Sequence, residues 1–228
     1  MSDINVWNEQ NLKKFNSYRH FPSEMVLRAT LSSNYFTIPF SVAEGKKVLD
    51  IGSLFGNNLV PFSDRGMKVY GTEVTDESVA ICKQMCSLQG IDAQIKKGFN
   101  RSLPFDDSNF DLVLSIATIH YEESLNNLKL AIKEFSRVTK TSGTCVIKTV
   151  APKHEMFKQS TLTDKNNYKL NYANDLRENQ HFYFFDNHKI LINVAKEFFQ
   201  EVECARITEQ YPKNTLDFYL LKCDNPIK

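Results

Sequence analysis

The segment from Lys47 to Glu73 limits the possible folds more than any other part of the chain. Its first residues, Val48 to Ile51, have the composition of a buried strand, apart from Asp50. A turn with Gly52 and Gly56 follows, then an amphipathic helix and a second strand that ends in an acid 21 residues after Gly52. Such glycines let the backbone close on a ligand, and an acid at a strand tip accepts hydrogen bonds from ribose hydroxyls. The segment therefore predicts a βαβ unit that binds an adenosine-type ligand.

The turn itself, GSLFGN, does not match the common phosphate-binding patterns. A dinucleotide fingerprint GxGxxG that begins at Gly52 requires glycine where the chain has Leu54 and Asn57. The pattern GxxxxGKS/T is absent as well. A nicotinamide-dependent reductase is therefore kept only as an alternative, which a fluorescence titration with NADH would test.

The turn instead resembles motif I of the class I S-adenosylmethionine-dependent methyltransferases, usually written hhDxGxGxG. Asp50, Gly52 and Gly56 occupy three of its four fixed positions, and Leu54 is the departure. S-adenosylmethionine carries no phosphate, so Leu54 weakens this resemblance less than it weakens the dehydrogenase one. Glu73 matches the ribose-binding acid of the family.

The resemblance continues downstream of the βαβ unit. The stretch KKGFNRSLPFDDSNFDLVLSIATIHY is similar to the family pattern GDxxxLPFxDxxFDxVxxxxxLHH. The positions in step with that pattern are Gly98, Leu103, Pro104, Phe105, Phe110, Asp111, Val113 and His120. Residues 134–140 and Gly143 are similar to a family helix, E-x-x-R-V-L-K, and the glycine that precedes strand five. The match covers residues 46–150 in the correct order.

The resemblance implies S-adenosyl-L-methionine as the cofactor and a set of residues that bind it. Glu73 would hold the ribose, and Val74 and Phe99 would lie on either side of the adenine. Phe99 stands where the family often has an Asp that contacts the adenine amine, and Asn100 or backbone groups are its substitutes. The expected cofactor-binding residues are Tyr18, Arg28, Asp50, Gly52, Ser53, Gly56, Asn57, Glu73, Val74, Phe99, Asn100, Ser115 and Ile116.

The methionine end of the cofactor has a carboxylate and an ammonium group. Tyr18 and Arg28 are candidates for the carboxylate, since Arg forms the bidentate pair best; the alternatives are a core Tyr and a surface Arg. Asp50 either fixes the turn or meets the ammonium through water. Ser115 and Ile116, at the end of strand four, are expected to line the path from cofactor to acceptor.

His120 is the first candidate for a catalytic residue, with Tyr121 beside it. A base near the acceptor can add roughly 10²–10⁴-fold to the rate, and histidine is the side chain best suited to exchange a proton near neutral pH. His120 lies just beyond the fourth predicted strand, at the edge to which the methyl group should point. The alternative is a histidine bonded to backbone, or one that only orients the substrate.

The acceptor is predicted from a polar and aromatic stretch between strand five and the last helix. The expected substrate-binding residues there are His154, Arg177, His181 and Tyr183, with Lys158 nearby. They suit an anionic or hydroxylated small molecule, such as a sugar, a nucleotide-linked sugar or a phosphorylated intermediate. The short stretch YRHFPSE also resembles small-molecule methyltransferases of surface-glycan pathways.

Composition favours one soluble domain without polymer partners. The 228 residues carry 28 Lys and Arg against 27 Asp and Glu, so no basic surface for nucleic acid is expected. No run of 18 apolar residues and no signal peptide is visible, so no membrane partner is expected. Five cysteines with no disulfide pattern favour a cytoplasmic protein. Cys82 and Cys86 are interpreted as packed helix residues, and no metal site is predicted; the sequence leaves the oligomeric state open.

Alternating strands and helices predict an α/β, Rossmann-like sheet covered by helices on both faces. Strands are predicted near 47–51, 68–73, 92–96, 110–115, 144–150, 201–209 and 216–223. Helices are predicted from the Thr75 or Asp76 cap to Gly90, over 123–138 and over 187–199. The family resemblance adds that the seven-stranded sheet is mostly parallel with an antiparallel last strand.

The chain is interpreted as one methyltransferase domain of 228 residues with four parts. Residues 1–45 form an N-terminal helical lid, residues 46–150 the cofactor-binding core, residues 151–186 a substrate-side insert, and residues 187–228 the last helix and strand pair. The alternative for the lid and the insert is that they only pack against the core.

The predicted activity is methyl transfer to an oxygen or nitrogen atom of a small polar metabolite. Its main alternative is a methyltransferase-like binding protein or partner subunit without catalysis. Leu54 and Phe99 favour that alternative slightly, whereas Asp50, Gly52 and Glu73 oppose it. Calorimetry with S-adenosylmethionine and S-adenosylhomocysteine would distinguish the two.

Overall fold

A seven-stranded sheet forms the centre of the computed structural model, which describes residues 21–37, 40, 43–171 and 178–228. Its strands are β1 (Lys47–Ile51), β2 (Lys68–Glu73), β3 (Ala93–Lys97), β4 (Phe110–Ile116), β5 (Thr139–Val150), β9 (Phe199–Tyr211) and β10 (Asn214–Pro226). The other strands are β6 (Ser160–Asp164), β7 (Asn167–Leu170) and β8 (His181–Tyr183). The α-helices are α1 (Glu24–Leu31), α2 (Val60–Ser63), α3 (Asp76–Leu88), α4 (Leu125–Val138), α5 (Glu155–Lys158) and α6 (His188–Lys196). Two 3₁₀ turns cover Asn57–Leu59 and Ile119–Tyr121.

The order of strands in the large sheet is β3-β2-β1-β4-β5-β10-β9. Strands β1 to β5 are parallel, and β10 is antiparallel to both of its neighbours. The prediction of a mostly parallel, seven-stranded, Rossmann-like sheet with an antiparallel last strand is therefore confirmed. The strand order reverses at β1, where Ile51 lies beside Thr72 on β2 and Ser115 on β4. In such sheets ligands bind at the carboxyl ends of the strands at this switch point.

Two apolar cores cover the two faces of the sheet. Leu49 faces the first core, which α4 and α6 cover through residues such as Phe135 and Leu191. Val48 faces the second core, which is covered by α1, α2 and α3. Side chains alternate between the two faces of a strand, so the inner parallel strands β1, β2, β4 and β5 contribute to both cores, whereas the edge strand β3 contributes only to the second. The inner parallel strands are therefore buried on both sides, as their apolar composition predicts.

The helices follow from local signals in the sequence. Thr75 caps α3 by accepting a hydrogen bond from the Ser78 N–H at 3.0 Å, and the helix ends before Gly90, which has a φ of 72°. Ser124 caps α4 in the same way, at 3.1 Å from the Asn127 nitrogen. The N-terminal helix α1 begins at Glu24. No helix of the described ranges is both long and apolar enough to span a membrane.

Two segments differ from the predicted elements. Strand β5 begins at Thr139 rather than near residue 144, because α4 continues into it without a loop. The segment 151–186 contains α5 and an antiparallel three-stranded sheet of β6, β7 and β8, where the sequence showed no clear pattern. These strands are only three to five residues long, and β6 is largely exposed, so their alternation is weak. Two aromatic residues of this segment, Phe182 and Phe184, lie in the second core.

Candidate functional site

The turn after β1 adopts a backbone that glycine alone accommodates at two positions. Gly52 has a φ of 68°, and a Cβ atom there would lie 2.7 Å from Cγ2 of Thr118. Gly56 has a φ of 71°, and a Cβ atom there would overlap Sγ of Cys86. The N–H groups of Gly52 and Ser53 both donate to the Thr72 carbonyl, at 2.9 and 3.1 Å. The turn is therefore held tightly against the tip of β2.

Glu73 lies at that tip, buried but in contact with the cavity that the turn borders. Its Oε1 accepts a hydrogen bond from the Leu54 N–H at 2.5 Å. Burial raises the pKa of Glu73 to about 7, and the hydrogen bond from Leu54 opposes that rise. Leu54 has a φ of 52°, in the left-handed region where the family motif has glycine. The residue that departs from the motif thus directs its N–H at the expected ribose-binding acid.

Asp50 lies beneath the turn with one oxygen that has no hydrogen-bond partner. Its Oδ2 accepts from Nδ2 of Asn58 at 3.3 Å, while its buried Oδ1 has no partner among the described residues. Burial raises the pKa of Asp50 to about 7; Asn58 opposes the rise and the charge of Glu73 adds to it. Oδ1 of Asn58 also accepts from the Ser23 N–H at 3.0 Å, which ties the start of α1 to the turn.

A cavity of about 610 Å³ opens above the carboxyl ends of β1 to β4. Its walls include seven of the predicted site residues: Gly52, Glu73, Val74, Phe99, Asn100, Ile116 and Tyr121. Leu54 also lines the cavity, so the two bulky departures from the motif form walls and leave the space open. A volume of this size lies within the range of small-molecule sites.

Four other predicted cofactor residues lie behind the cavity wall and support it. Ser53 is buried with its Oγ 3.4 Å from Sγ of Cys82. Ser115 is buried with its Oγ 2.6 Å from Oγ1 of Thr118. Gly56 packs against Cys86, and Asn57 begins the 3₁₀ turn that follows.

The two catalytic candidates take different positions. Tyr121 lines the cavity. His120 is buried behind it, with its ring 4.5 Å from that of Tyr121 and 5.7 Å from that of Phe182. Nδ1 of His120 lies 3.4 Å from Oγ1 of Thr149. The expected position of His120 at the cavity edge is therefore not observed, since the aromatic packing holds its ring in the interior.

Arg28, another predicted cofactor-binding residue, is not among the residues that line the cavity. Arg28 pairs with Glu24 on its own helix at 2.5 Å and stacks over the ring of Tyr35, away from the cavity walls. Tyr18 and Arg177, also predicted to bind ligands, lie outside the described residues.

The structure places the predicted substrate-binding residues of the insert in three different environments. His154 caps α5 by accepting from the Met156 N–H at 3.1 Å and packs on Phe218. Tyr183 is buried in the first core beside Phe185, because its strand turns it away from the site. His181 alone of the described candidates reaches a cavity, a second one of about 400 Å³ whose other walls are Glu123, Thr163, Asp164 and Asn167.

The motifs gave no signal for Asn58, Thr118 and Glu122, which are central to the site. Asn58 bonds to Asp50, and Thr118 and Glu122 line the first cavity. Only the identity of Glu122, an acid two residues after the candidate His120, could have drawn attention to it. The described residues contain no group of three His, Cys, Asp or Glu side chains that could hold a metal ion.

Comparison with known proteins relates the central part of the chain to methyltransferases. Residues 49–147 match the family model described as a methyltransferase domain. An uncharacterised methyltransferase of Bacillus subtilis, YcgJ, is 29% identical over 98 residues, which are 42% of this chain and 38% of that protein. The sterol 4-C-methyltransferase of Caenorhabditis elegans is 26% identical over 134 residues, 58% of this chain and 39% of that protein. The chain thus spans less than half the length of these curated relatives.

Solved structures share the fold over most of the chain. The PH0226 protein of Pyrococcus horikoshii has a TM-score of 0.65 and 18% identity, and covers 95% of this chain and 98% of its own. A SAM-dependent methyltransferase of Methanosarcina mazei also has a TM-score of 0.65, at 17% identity, and covers 79% of this chain and 93% of its own. The fold is the class I, Rossmann-like methyltransferase fold. The family match covers residues 49–147, less than half of the chain, in the region where the motifs predicted a methyltransferase, and S-adenosylmethionine is the cofactor which that match implies.

The residues present fit this cofactor. The cavity contains a buried carboxylate, Glu73, for a ribose, and apolar walls at Val74 and Phe99 for a base. Within the part of the chain that the structure describes, the buried Oδ1 of Asp50 has no hydrogen-bond partner, which fits a group that meets the ammonium of the cofactor through water.

Proposed function

We propose that the protein transfers the methyl group of S-adenosylmethionine to an oxygen or nitrogen atom of a small polar molecule. The observation that carries the proposal is the open cavity at the switch point, with Glu73 and the Gly52 turn in its walls. The names of the relatives do not indicate whether oxygen or nitrogen accepts the methyl group. Their names include a fatty-acid O-methyltransferase of Mycolicibacterium smegmatis at 22% identity and an ajmaline N-methyltransferase of Rauvolfia serpentina at 28%.

We assign each part of the cofactor to a different group of residues in and behind the cavity walls. Glu73 accepts hydrogen bonds from the ribose, Val74 and Phe99 contact the base, and the backbone of Gly52 approaches the methionine end, where Asp50 favours the ammonium group. When bound, the cofactor supplies an electrophilic methyl group on a sulfonium centre. The task that is left to the protein is to hold the acceptor in line with that group, which can contribute roughly 7–11 kcal/mol.

On the acceptor side, we assign the contact with substrate to Tyr121 and a supporting role to His120. Tyr121 lines the cavity, and its hydroxyl can orient an acceptor hydroxyl or amine. The rings of His120, Tyr121 and Phe182 pack against one another, so His120 and Phe182 together support the Tyr121 ring. His120→Ala should therefore lower turnover while the affinity for the cofactor changes little. Tyr121→Phe should raise KM for the acceptor.

The charges around the two cavities favour a sugar or an amine over a phosphorylated acceptor. Three glutamates and one arginine line the first cavity, and that arginine, Arg101, is paired with Glu122 at 2.9 Å. In the second cavity, Glu123 and Asp164 accompany His181. An acidic wall repels an anionic substrate and attracts a cationic one. A neutral sugar or an amino sugar therefore suits the described walls better than a sugar phosphate.

The test has two stages that separate binding from catalysis. Calorimetry should show micromolar binding of S-adenosylmethionine and S-adenosylhomocysteine, which Glu73→Ala should weaken at least about tenfold, or 1.4 kcal/mol. Methyl-tritiated cofactor is then incubated with matched sugars, amino sugars and sugar phosphates. Label should appear in one of the first two classes. Absence of heat with both cofactor forms would contradict the proposal.

A non-catalytic partner subunit that holds no cofactor would have its site closed by Leu54 and Phe99. The open volume of about 610 Å³ opposes it. Binding of the cofactor without transfer to any acceptor in the panel would favour it again.

A further inference from the structure

The second cavity, of about 400 Å³, is lined mainly by hydrogen-bond acceptors. No lysine or arginine is among the described residues that form its walls, which are Glu123, Thr163, Asp164, Asn167 and His181. The Thr163 hydroxyl donates to the Asn167 carbonyl at 3.0 Å, so only the lone pairs of that hydroxyl are left for a guest. Acceptor atoms therefore outnumber donors, and a guest group with several N–H donors suits the cavity.

The side chain of Asn167 points to the same kind of guest independently of the two carboxylates. Its Oδ1 is buried and has no hydrogen-bond partner in the part of the chain that the structure describes. The contact with Thr163 uses the backbone carbonyl of Asn167 and leaves the side-chain oxygen unsatisfied. A buried acceptor without a donor is unfavourable, so a guest that supplies the donor is favoured.

The carboxylates place negative charge where the two cavities meet. Glu123 lines both cavities, and its neighbour Glu122 lines the first. Burial raises the pKa of Glu122 and the charge of Glu123 adds to the rise, whereas Asn100 and Arg101 oppose it. Asp164 brings a further carboxylate to the second cavity. Because these charges repel one another, a cation at the junction is stabilised.

The geometry favours an ammonium group over a metal ion as this cation. A metal ion needs ligands that converge on one point, and the described residues contain no group of three acids, histidines or cysteines that could hold one. An alkylammonium group instead donates three hydrogen bonds of about 2.7–3.2 Å and accommodates acceptors that are further apart. The neighbouring cation Lys169, opposite His181 in the β7–β8 register, does not line the cavity.

Resting on the proposed function, we propose that the acceptor is an amine whose ammonium group binds in the second cavity, at Glu123 and Asp164, while a different atom of the same molecule accepts the methyl group in the first cavity. Tyr121, two residues before Glu123, lines that first cavity and contacts the reacting end. The ammonium thus serves as an anchor that positions the reacting atom.

The chemistry requires the reacting atom and the anchor to differ. Neighbouring carboxylates favour the protonated amine, which has no lone pair with which to form a bond to carbon. The reacting atom is therefore a hydroxyl oxygen or a neutral nitrogen, whose lone pair forms the bond to the methyl carbon. The bond from that carbon to sulfur breaks with its electron pair left on sulfur, and the proton of the accepting atom is released to water.

The test uses matched acceptors with the full chain and methyl-tritiated S-adenosylmethionine at neutral pH. Each amino sugar is paired with the sugar that has a hydroxyl in place of the ammonium, as glucosamine is with glucose. Within a pair, kcat/KM should be at least about tenfold higher for the amine, or 1.4 kcal/mol. Mass spectrometry of the product should locate the methyl group on a hydroxyl oxygen and leave the amino nitrogen unmethylated.

Variants that remove one charge at constant size test the two carboxylates. Glu123→Gln and Asp164→Asn should each lower the preference for the amine at least about threefold, or 0.7 kcal/mol, and the double variant should bring it to within about twofold. The matched control is Asp92→Asn, an exposed acid directly before β3, at the end of that strand away from the cavities, which should keep the wild-type ratio. A purely structural role of Glu123 would change both members of a pair equally.

The outcomes separate this inference from the proposed function. If no sugar or amino sugar is labelled, the proposed function fails and this inference fails with it. If neutral sugars are labelled as well as their amines, if the amino nitrogen itself is methylated, or if the double variant keeps the preference, only this inference is overturned. Should Glu123→Gln fail to fold, Asp164→Asn decides the question, because Asp164 is exposed.

Discussion

Glycine is favoured at positions 52 and 90 for different physical reasons. Both have a positive φ, 68° and 72°, which costs other residues on the order of 1–2 kcal/mol. At Gly90 a Cβ atom would meet nothing within 4 Å, whereas at Gly52 it would lie 2.7 Å from the methyl group of Thr118. Backbone strain is therefore shared by the two positions, and crowding at the site is specific to Gly52.

Gly52→Ala should weaken the binding of S-adenosylhomocysteine at least about tenfold, since the turn must shift to relieve both strain and crowding. Gly90→Ala should lower only the free energy of unfolding, by about 1 kcal/mol, and leave the affinity unchanged. Calorimetry and urea denaturation measure the two effects.

A second substitution isolates the crowding. Thr118→Ser removes the obstructing methyl group but retains the hydroxyl that lies 2.6 Å from Oγ of Ser115. In the Gly52→Ala background it should recover part of the lost affinity. Equal affinities of the single and double variants would show that contact with Thr118 is not the cause.

Glu73 links cofactor binding to pH. Its ordinary pKa of 4.5 rises to about 7 on burial, so the folded protein holds a proton that the unfolded chain has released. Between pH 4.5 and about 7, the folded state binds more protons than the unfolded state, and stability falls as pH rises. Ribose hydroxyls donate to the ionised carboxylate, so cofactor binding should follow the opposite trend.

We expect the affinity for S-adenosylhomocysteine to increase between pH 6 and 8 and to level off above the pKa of about 7. Glu73→Gln should bind at least about tenfold more weakly, with a shallower dependence on pH. Relative to wild type, its free energy of unfolding should be higher at pH 8 than at pH 5, by on the order of 2 kcal/mol. Affinity independent of pH in the wild-type protein would contradict the assigned role of Glu73.

At the scale of elements, the small sheet of β6, β7 and β8 supports the turn that carries the catalytic candidates. Phe182 on β8 lies 4.9 Å from the ring of Tyr121 and 5.7 Å from that of His120. The 3₁₀ turn Ile119–Tyr121 is short and has few backbone hydrogen bonds of its own. Its rigidity therefore depends on this packing from the insert.

Phe182→Leu should loosen that turn while the rest of the domain stays folded. Hydrogen–deuterium exchange of peptides that cover residues 117–123 should become faster, and affinity for S-adenosylhomocysteine should change less than about threefold, or 0.7 kcal/mol. Leu162→Ala is the control, because Leu162 lies on β6 of the same sheet and is 55% exposed. Equal exchange rates in Phe182→Leu and wild type would show that the rigidity of the turn does not depend on packing from the insert.

Elements with strong local signals were predicted to within a few residues, and those without were missed. The Thr75 cap and the apolar stripe of α4 determine their helices locally, so the sequence was sufficient. Strands β6 to β8 have weak alternation, and their existence depends on Phe182 and Phe184 reaching a core that other elements build. That dependence is tertiary and leaves no periodic pattern to detect.

The same distinction between local and tertiary signals applies to the residues of the site. Asp50, Gly52 and Glu73 lie within one βαβ unit, so spacing along the chain was enough to group them. Asn100 and Glu122 meet across two loops, and the inward position of Tyr183 depends on the register of β8. Predicting those positions requires the three-dimensional arrangement of the strands.

At the scale of the whole molecule, the cavity lies between elements that belong to both cores, so a bound cofactor should stabilise the entire domain. At 100 times its dissociation constant, a ligand that binds only the folded state adds about 2.7 kcal/mol. For a chain of this size that corresponds to an increase in Tm of about 5–11 °C. Differential scanning fluorimetry with S-adenosylhomocysteine should show this shift for wild type and a much smaller one for Glu73→Ala. An equal increase in Tm in both proteins would show that the ligand binds away from Glu73.

Glu123 belongs to the walls of both cavities, about 610 and 400 Å³ in volume. The two chambers adjoin at this residue, so a small polar acceptor bound in the first can carry a substituent that extends into the second, beside the β6–β7 hairpin. If only the reacting end of the acceptor and its ammonium are recognised, amino sugars with progressively larger substituents beyond the ammonium should share nearly the same KM.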